Sequence, residues 1–133
     1  MDISSRSAQQ AAGRQPYPLA RVYTACDVID ACAPTACQGS PVAAHYAEQA
    51  LTHQRRALTY LDEITVRRPL SSAPDLRQEL LRRALEEGLF ACRLLLRAQQ
   101  ELRDHPGTAL GLRRAQLRAL VESLEQQLYS LAR

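Results

Sequence analysis

From Leu76 to Asp104 the chain contains no proline and a single glycine, Gly88, while apolar residues return at nearly every third or fourth position. Leu76, Leu80, Leu81, Ala84, Leu85, Leu89, Cys92, Leu95, Leu96 and Leu102 form a broad apolar face, which Phe90 and Leu94 widen in the middle. That period fits a backbone of 3.6 residues per turn and not the two-residue alternation of a strand. The run predicts a helix of roughly 45 Å at 1.5 Å per residue. A face so wide predicts burial against two neighbours, which makes this the central helix of a bundle. Ser72 and Asp75 resemble a capping box, Pro74 suits the first turn, and Asp75 and Glu79 favour the positive end of the helix dipole.

Three further helices follow from the same reasoning. His105-Pro106-Gly107 is a compact break, and Thr108 can cap the helix after it. That last helix carries Leu110, Leu117, Leu124 and Leu131 at a spacing of seven, with Val121 and Leu128 in the second seam position and Leu120 on the flank. This is coiled-coil patterning, and the short turn predicts antiparallel neighbours. Upstream, Leu19, Val22, Cys26, Ile29 and Ala33 form one stripe of a helix from Pro18 to Ala33, which Pro34 is expected to end. Ser40 and Pro41 read as a cap and first-turn proline for a helix reaching about Arg67, stopped by Pro69. Tyr46, Ala50, His53, Ala57, Leu61 and Ile64 share its apolar face, and the β-branched stretch Ile64–Val66 weakens its last turn.

Composition supports an all-α fold. Apolar residues make up 46% of the chain but aromatics only 5%, so the hydrophobic content is mostly leucine and alanine, which favour helix. Strand-forming isoleucine, valine and threonine are sparse. The expected architecture is an antiparallel (up-down) bundle of three long helices plus a shorter N-terminal helix. Residues 1–17 are expected to be a disordered tail and residues 18–133 a single domain, a size that buries roughly two-thirds of its surface.

No apolar run approaches the roughly 20 residues needed to span a bilayer, and the polar N-terminus lacks the hydrophobic stretch of a secretory signal. The expected compartment is the cytoplasm, where thiols stay reduced. All 17 basic residues are arginine. Guanidinium suits bidentate recognition of phosphate or carboxylate, but GC-rich codon usage accounts for the bias more simply. A net charge of +3 does not by itself indicate a nucleic-acid partner.

Residues with chemical potential are few. Cys26, Cys32 and Cys37, with His45 beyond them, are ligand types that zinc prefers, but their spacing lacks a tight Cys-x-x-Cys knuckle. Cys26 and Cys92 read as small core hydrophobes. His53 lies on an apolar face, where it would serve as a base or ligand, or more simply be satisfied by a core hydroxyl such as a tyrosine. No phosphate loop, catalytic triad or Glu-x-x-His pair is present, so neither catalysis nor a cofactor is expected. The arginine doublets Arg55–Arg56, Arg67–Arg68, Arg82–Arg83 and Arg113–Arg114 would contact phosphates if clustered. Acids nearby, such as Glu79 and Glu86 around Arg82–Arg83, make solvated faces the simpler reading.

The functional expectation is therefore a non-enzymatic protein–protein interaction module: an adaptor, a secretion or assembly chaperone, or a regulator. Its candidate surface is Leu117, Val121, Leu124, Leu128 and Leu131, and its partner another protein or a second copy, with no membrane or small-molecule substrate indicated. The alternatives are a nucleic-acid-binding regulator using the arginine doublets and, less favoured, a small Cys/His metal protein.

Overall fold

The computed structural model describes residues 17–67, 74–101 and 108–132. These are helical except at Ser40 and Glu101, and no strand occurs among them. Residues 1–16 of the expected tail, the Ser72 cap, Leu102 and the His105-Pro106-Gly107 break lie outside the described residues, while Tyr17, expected in the tail, begins the first helix.

Helix α1 spans Tyr17–Gly39 and carries Pro34 inside it. The expected end at Ala33 is thus corrected, as is the expectation of a shorter first helix: α1 has 23 residues and α2 has 22. Proline within a helix removes one backbone hydrogen bond and costs ~3 kcal/mol. Here Pro34 faces solvent, while Cys32, Ala33 and Ala36 are buried on the opposite side. Burial of that continuing stripe offsets the proline, and the helix runs past it.

A single extended residue, Ser40, joins α1 to α2. Its hydroxyl accepts the Ala43 N–H at 3.1 Å, and Pro41 occupies the first turn. Helix α2 covers Pro41–Asp62 and then widens into one i→i+5 turn over Glu63–Arg67. The β-branched residues expected to weaken this end lie in that turn. Thr65 donates to the Leu61 carbonyl at 2.8 Å, and Ile64 remains buried. Helix α3 covers Pro74–Gln100, ending before the expected Asp104, and Glu101 closes it through a bond to the Ala98 carbonyl. Helix α4 covers Thr108–Ala132.

Helix α3 packs on α1, α2 and α4, and α1 also packs on α2 and α4; α2 and α4 do not touch among the described residues. The inner pair is therefore α1 with α3, flanked by α2 and α4. Ala43, Ala47, Ala50 and Ala57 line the buried side of α2, and these small side chains let it lie close to its neighbours. Leu85, Leu95, Leu117, Leu124, Ile29 and Leu61 supply the bulk of the core.

Candidate functional site

A surface of mixed chemistry lies in the groove between α2 and α3. On α2, Gln49, His53, Arg56 and Tyr60 follow at spacings of four, three and four, which places them in one line along the helix. On α3, Glu87, Phe90, Leu94 and Arg97 do the same at three, four and three. Where the two lines meet, an open groove of about 430 Å³ is lined by Gln49, His53, Phe90, Arg93 and Leu94.

His53 anchors this groove. Its Nδ1 lies 2.5 Å from Glu87 Oε2, so a carboxylate from α3 fixes an imidazole from α2. Both side chains are partly buried. The expected hydroxyl partner is thus corrected to a carboxylate, which is the stronger acceptor. The Phe90 ring sits 5.6 Å from the His53 ring at a tilted angle, yet Phe90 remains 44% exposed. Its expected place within the buried face is corrected: the face is narrower there, and Phe90 lies on its outer margin.

The groove ends in polar groups. Arg93 Nη2 donates to Glu125 Oε2 of α4 at 2.7 Å. Beyond Leu94, the Arg97 guanidinium lies 5.8 Å above the Tyr46 ring. His45 and Gln49 approach through their Nε2 atoms at 3.1 Å, and the His45 ring meets Tyr46 edge-on. The groove lining offers an imidazole, an amide and a guanidinium beside apolar surface, and no hydroxyl or thiol. Such an assortment suits recognition of a side chain.

The residues expected to form an interaction surface lie on α4. Leu117 and Leu124 are fully buried in the core, while Val121, Leu128 and Leu131 are partly buried at its margin. Leu120, on the flank of the heptad seam, is more buried than Val121 within it. The reason is that α4 packs on α1 as well as α3, so its contact stripe is wider than a two-helix seam.

The four cysteines are free thiols; Cys26, Cys32 and Cys92 are buried and Cys37 is half-buried. Burial pushes the Cys26 and Cys92 thiols up to about 12. Among the described residues no three His, Cys, Asp or Glu side chains come together as a metal-ligand set, and His45 engages Gln49 and Tyr46. Of the arginine doublets, Arg82 and Arg83 are held by Glu79, with Glu86 also on Arg82. The Arg82 guanidinium holds the Glu79 carboxyl below its ordinary value. Arg55 and Arg56 are exposed, and the side chains of Arg67, Arg68 and Arg113 lie outside the described residues.

Sequence reasoning missed Glu87 as the partner of His53 and Gln54 as a buried amide. Glu87 had a signal: it stands three and seven residues before Phe90 and Leu94, on the same side of α3. Gln54 had none beyond falling within the apolar stripe of α2. Comparison with family models, curated proteins and solved structures finds no match, so any functional reading rests on the chemistry of these residues.

Proposed function

We propose that this chain is a non-enzymatic interaction module, of the adaptor, secretion- or assembly-chaperone or regulator kind, which recognises another protein. The observation that carries this reading is Phe90. The chain has one phenylalanine and no tryptophan, and that phenylalanine ring is left 44% exposed beside His53 and Leu94. Covering apolar surface is favourable by ~25 cal/mol per Å². Binding energy at protein interfaces also concentrates on aromatic and arginine side chains. Val121, Leu128 and Leu131 supply a second apolar margin on α4, open to a partner or a second copy.

The scaffold we propose is an up-down bundle. Residue numbers fall along α3 as they rise along α2: Tyr46 lies beside Arg97, His53 beside Glu87, and Tyr60 beside Arg83. They also fall along α3 as they rise along α4, since Arg114 reaches the Gln99 carbonyl while Leu124 lies near Gly88. The cytoplasm is the proposed setting, consistent with four free thiols.

Affinity purification of the tagged full chain from its native host tests this. The expected result is a stoichiometric protein partner that is lost from Phe90→Ser or from Leu128→Glu/Leu131→Glu. Recovery of nucleic acid instead, released by raised salt and by Arg55→Glu/Arg56→Glu, would replace this reading with the regulator that acts through arginine doublets.

A further inference from the structure

We infer that the α2–α3 groove receives an acidic amphipathic helix of a partner protein, with an apolar side chain on Phe90 and Leu94 and carboxylates at Arg56 and Arg97. This assignment rests on the interaction-module reading and gives the partner a chemistry. The first argument is charge. Most ions around the groove are already paired: Arg93 with Glu125, Arg83 with Glu79, and Arg82 with Glu86, while the single Glu87 carboxylate is held by His53. Among the described residues Arg56 and Arg97 make no ion pair; Arg97 meets only the Tyr46 ring and, at 3.4 Å, the Gln100 amide oxygen. The charge left over is positive, so the complementary partner is acidic.

The second argument is placement. Arg97 lies beside Tyr46, on one side of the His53–Phe90 contact. Arg56 lies on the other side, on the line of α2 between His53 and Tyr60. Tyr60 neighbours Arg83 and His53 pairs with Glu87, so Arg56 stands opposite the α3 turn between those two. At 1.5 Å of rise per residue along α3, the backbone positions that carry the two arginines are separated by roughly 18 Å along the axis. The groove thus has an apolar, aromatic centre and a cation at each end.

The third argument concerns backbone form. Both walls are helices with their amides and carbonyls already paired, so there is no strand edge for an extended peptide to join. A groove between two helices is the geometry into which a third helix packs, through apolar anchors at i, i+3 or i+4 and i+7. About twelve residues of helix span the distance between the two cations. A duplex would need a continuous basic stripe, whereas here two cations flank an aromatic centre and Glu87.

The test is selection of random peptides, each about 16 residues and so long enough for four helical turns, displayed against the full chain with counter-selection on Phe90→Ser. Recovered sequences are expected to carry a central Leu, Ile, Met or Phe, with Asp or Glu toward both ends. Fluorescence anisotropy on synthetic copies should show ~10-fold weaker binding to Phe90→Ser and several-fold weaker binding to Arg97→Glu or Arg56→Glu. Because Arg56 and Arg97 are exposed, those variants retain the fold, and arginine in place of the matching peptide acid should restore binding to them. Recovery of neutral or basic sequences overturns the proposal, as does binding indifferent to Phe90, or displacement of the peptide by duplex DNA or anionic vesicles. A host partner that still binds Phe90→Ser would refute the groove and leave the interaction-module reading standing. Absence of any host protein partner would refute that reading itself.

Discussion

At Gln54 one side-chain nitrogen joins two helices. Its Nε2 donates to the Cys26 carbonyl at 3.0 Å and to Asp30 Oδ1 at 2.7 Å, and the residue is only 5% exposed. The Cys26 carbonyl is buried with it, so removing the amide leaves an acceptor with one partner fewer and a small void. Gln54→Ala should cost roughly 1–3 kcal/mol, read as a lower urea midpoint at unchanged m-value. Gln54→Glu should cost more at neutral pH, because a carboxylate would then face both the Cys26 carbonyl and Asp30. Equal losses in the two variants would mean that shape, and not the hydrogen bonds, fixes this position. The apolar placement of His53 was legible in the spacing of α2, but its partner was not. Glu87 and Gln54 act on helices 34 and 28 residues away respectively from their own partners, and helical period records a face without naming what lies opposite.

At the scale of elements, the starts of helices were easier to read than their ends. Ser40 and Pro41 announce α2 through local chemistry, a hydroxyl oxygen for an unpaired N–H and a ring that needs none. Pro34 carries the opposite message locally, yet α1 continues because the burial of Ala33 and Ala36 decides the matter. Gly88 is a comparable case within α3. It is buried where α1, α3 and α4 converge, and a Cβ there would lie 3.7 Å from Val22 Cγ1 and 3.9 Å from Leu124 Cδ1. Both are ordinary contact distances, so the site accepts a methyl group. Alanine is the better helix former by nearly 1 kcal/mol and restricts the unfolded chain. Gly88→Ala should therefore raise stability by about 0.5–1 kcal/mol, visible as a melting temperature a few degrees higher. Gly88→Leu should lower it, since the extra carbons would drive into Val22 and Leu124.

For the whole molecule, the sequence contained the four apolar stripes but not how they are shared. The heptad on α4 suits a single partner helix equally well, and the contact with α1 explains why Leu120 is buried more fully than Val121. One consequence of that shared core is a defined response to alkali. Cys26 and Cys92 lie within it, and burial, more than neighbouring thiols and carboxylates, raises both from the ordinary 9.0 to about 12. Well below pH 9 the thiols are protonated in folded and unfolded chains alike, and they contribute no pH dependence. Above it the unfolded chain releases these protons while the folded chain keeps them, so stability falls as pH rises toward 12. The slope approaches ~1.4 kcal/mol per pH unit for each thiol. The chain has no lysine, which removes the commonest side chain that titrates near this window. Urea midpoints of the wild type and of Cys26→Ala/Cys92→Ala, compared from pH 8 to pH 10.5, isolate the contribution of the pair. The double variant should start less stable, because each substitution removes a buried sulfur, and then lose stability more slowly as pH rises. Parallel slopes in the two proteins would place these thiols in contact with water and contradict the packing of α1 against α3.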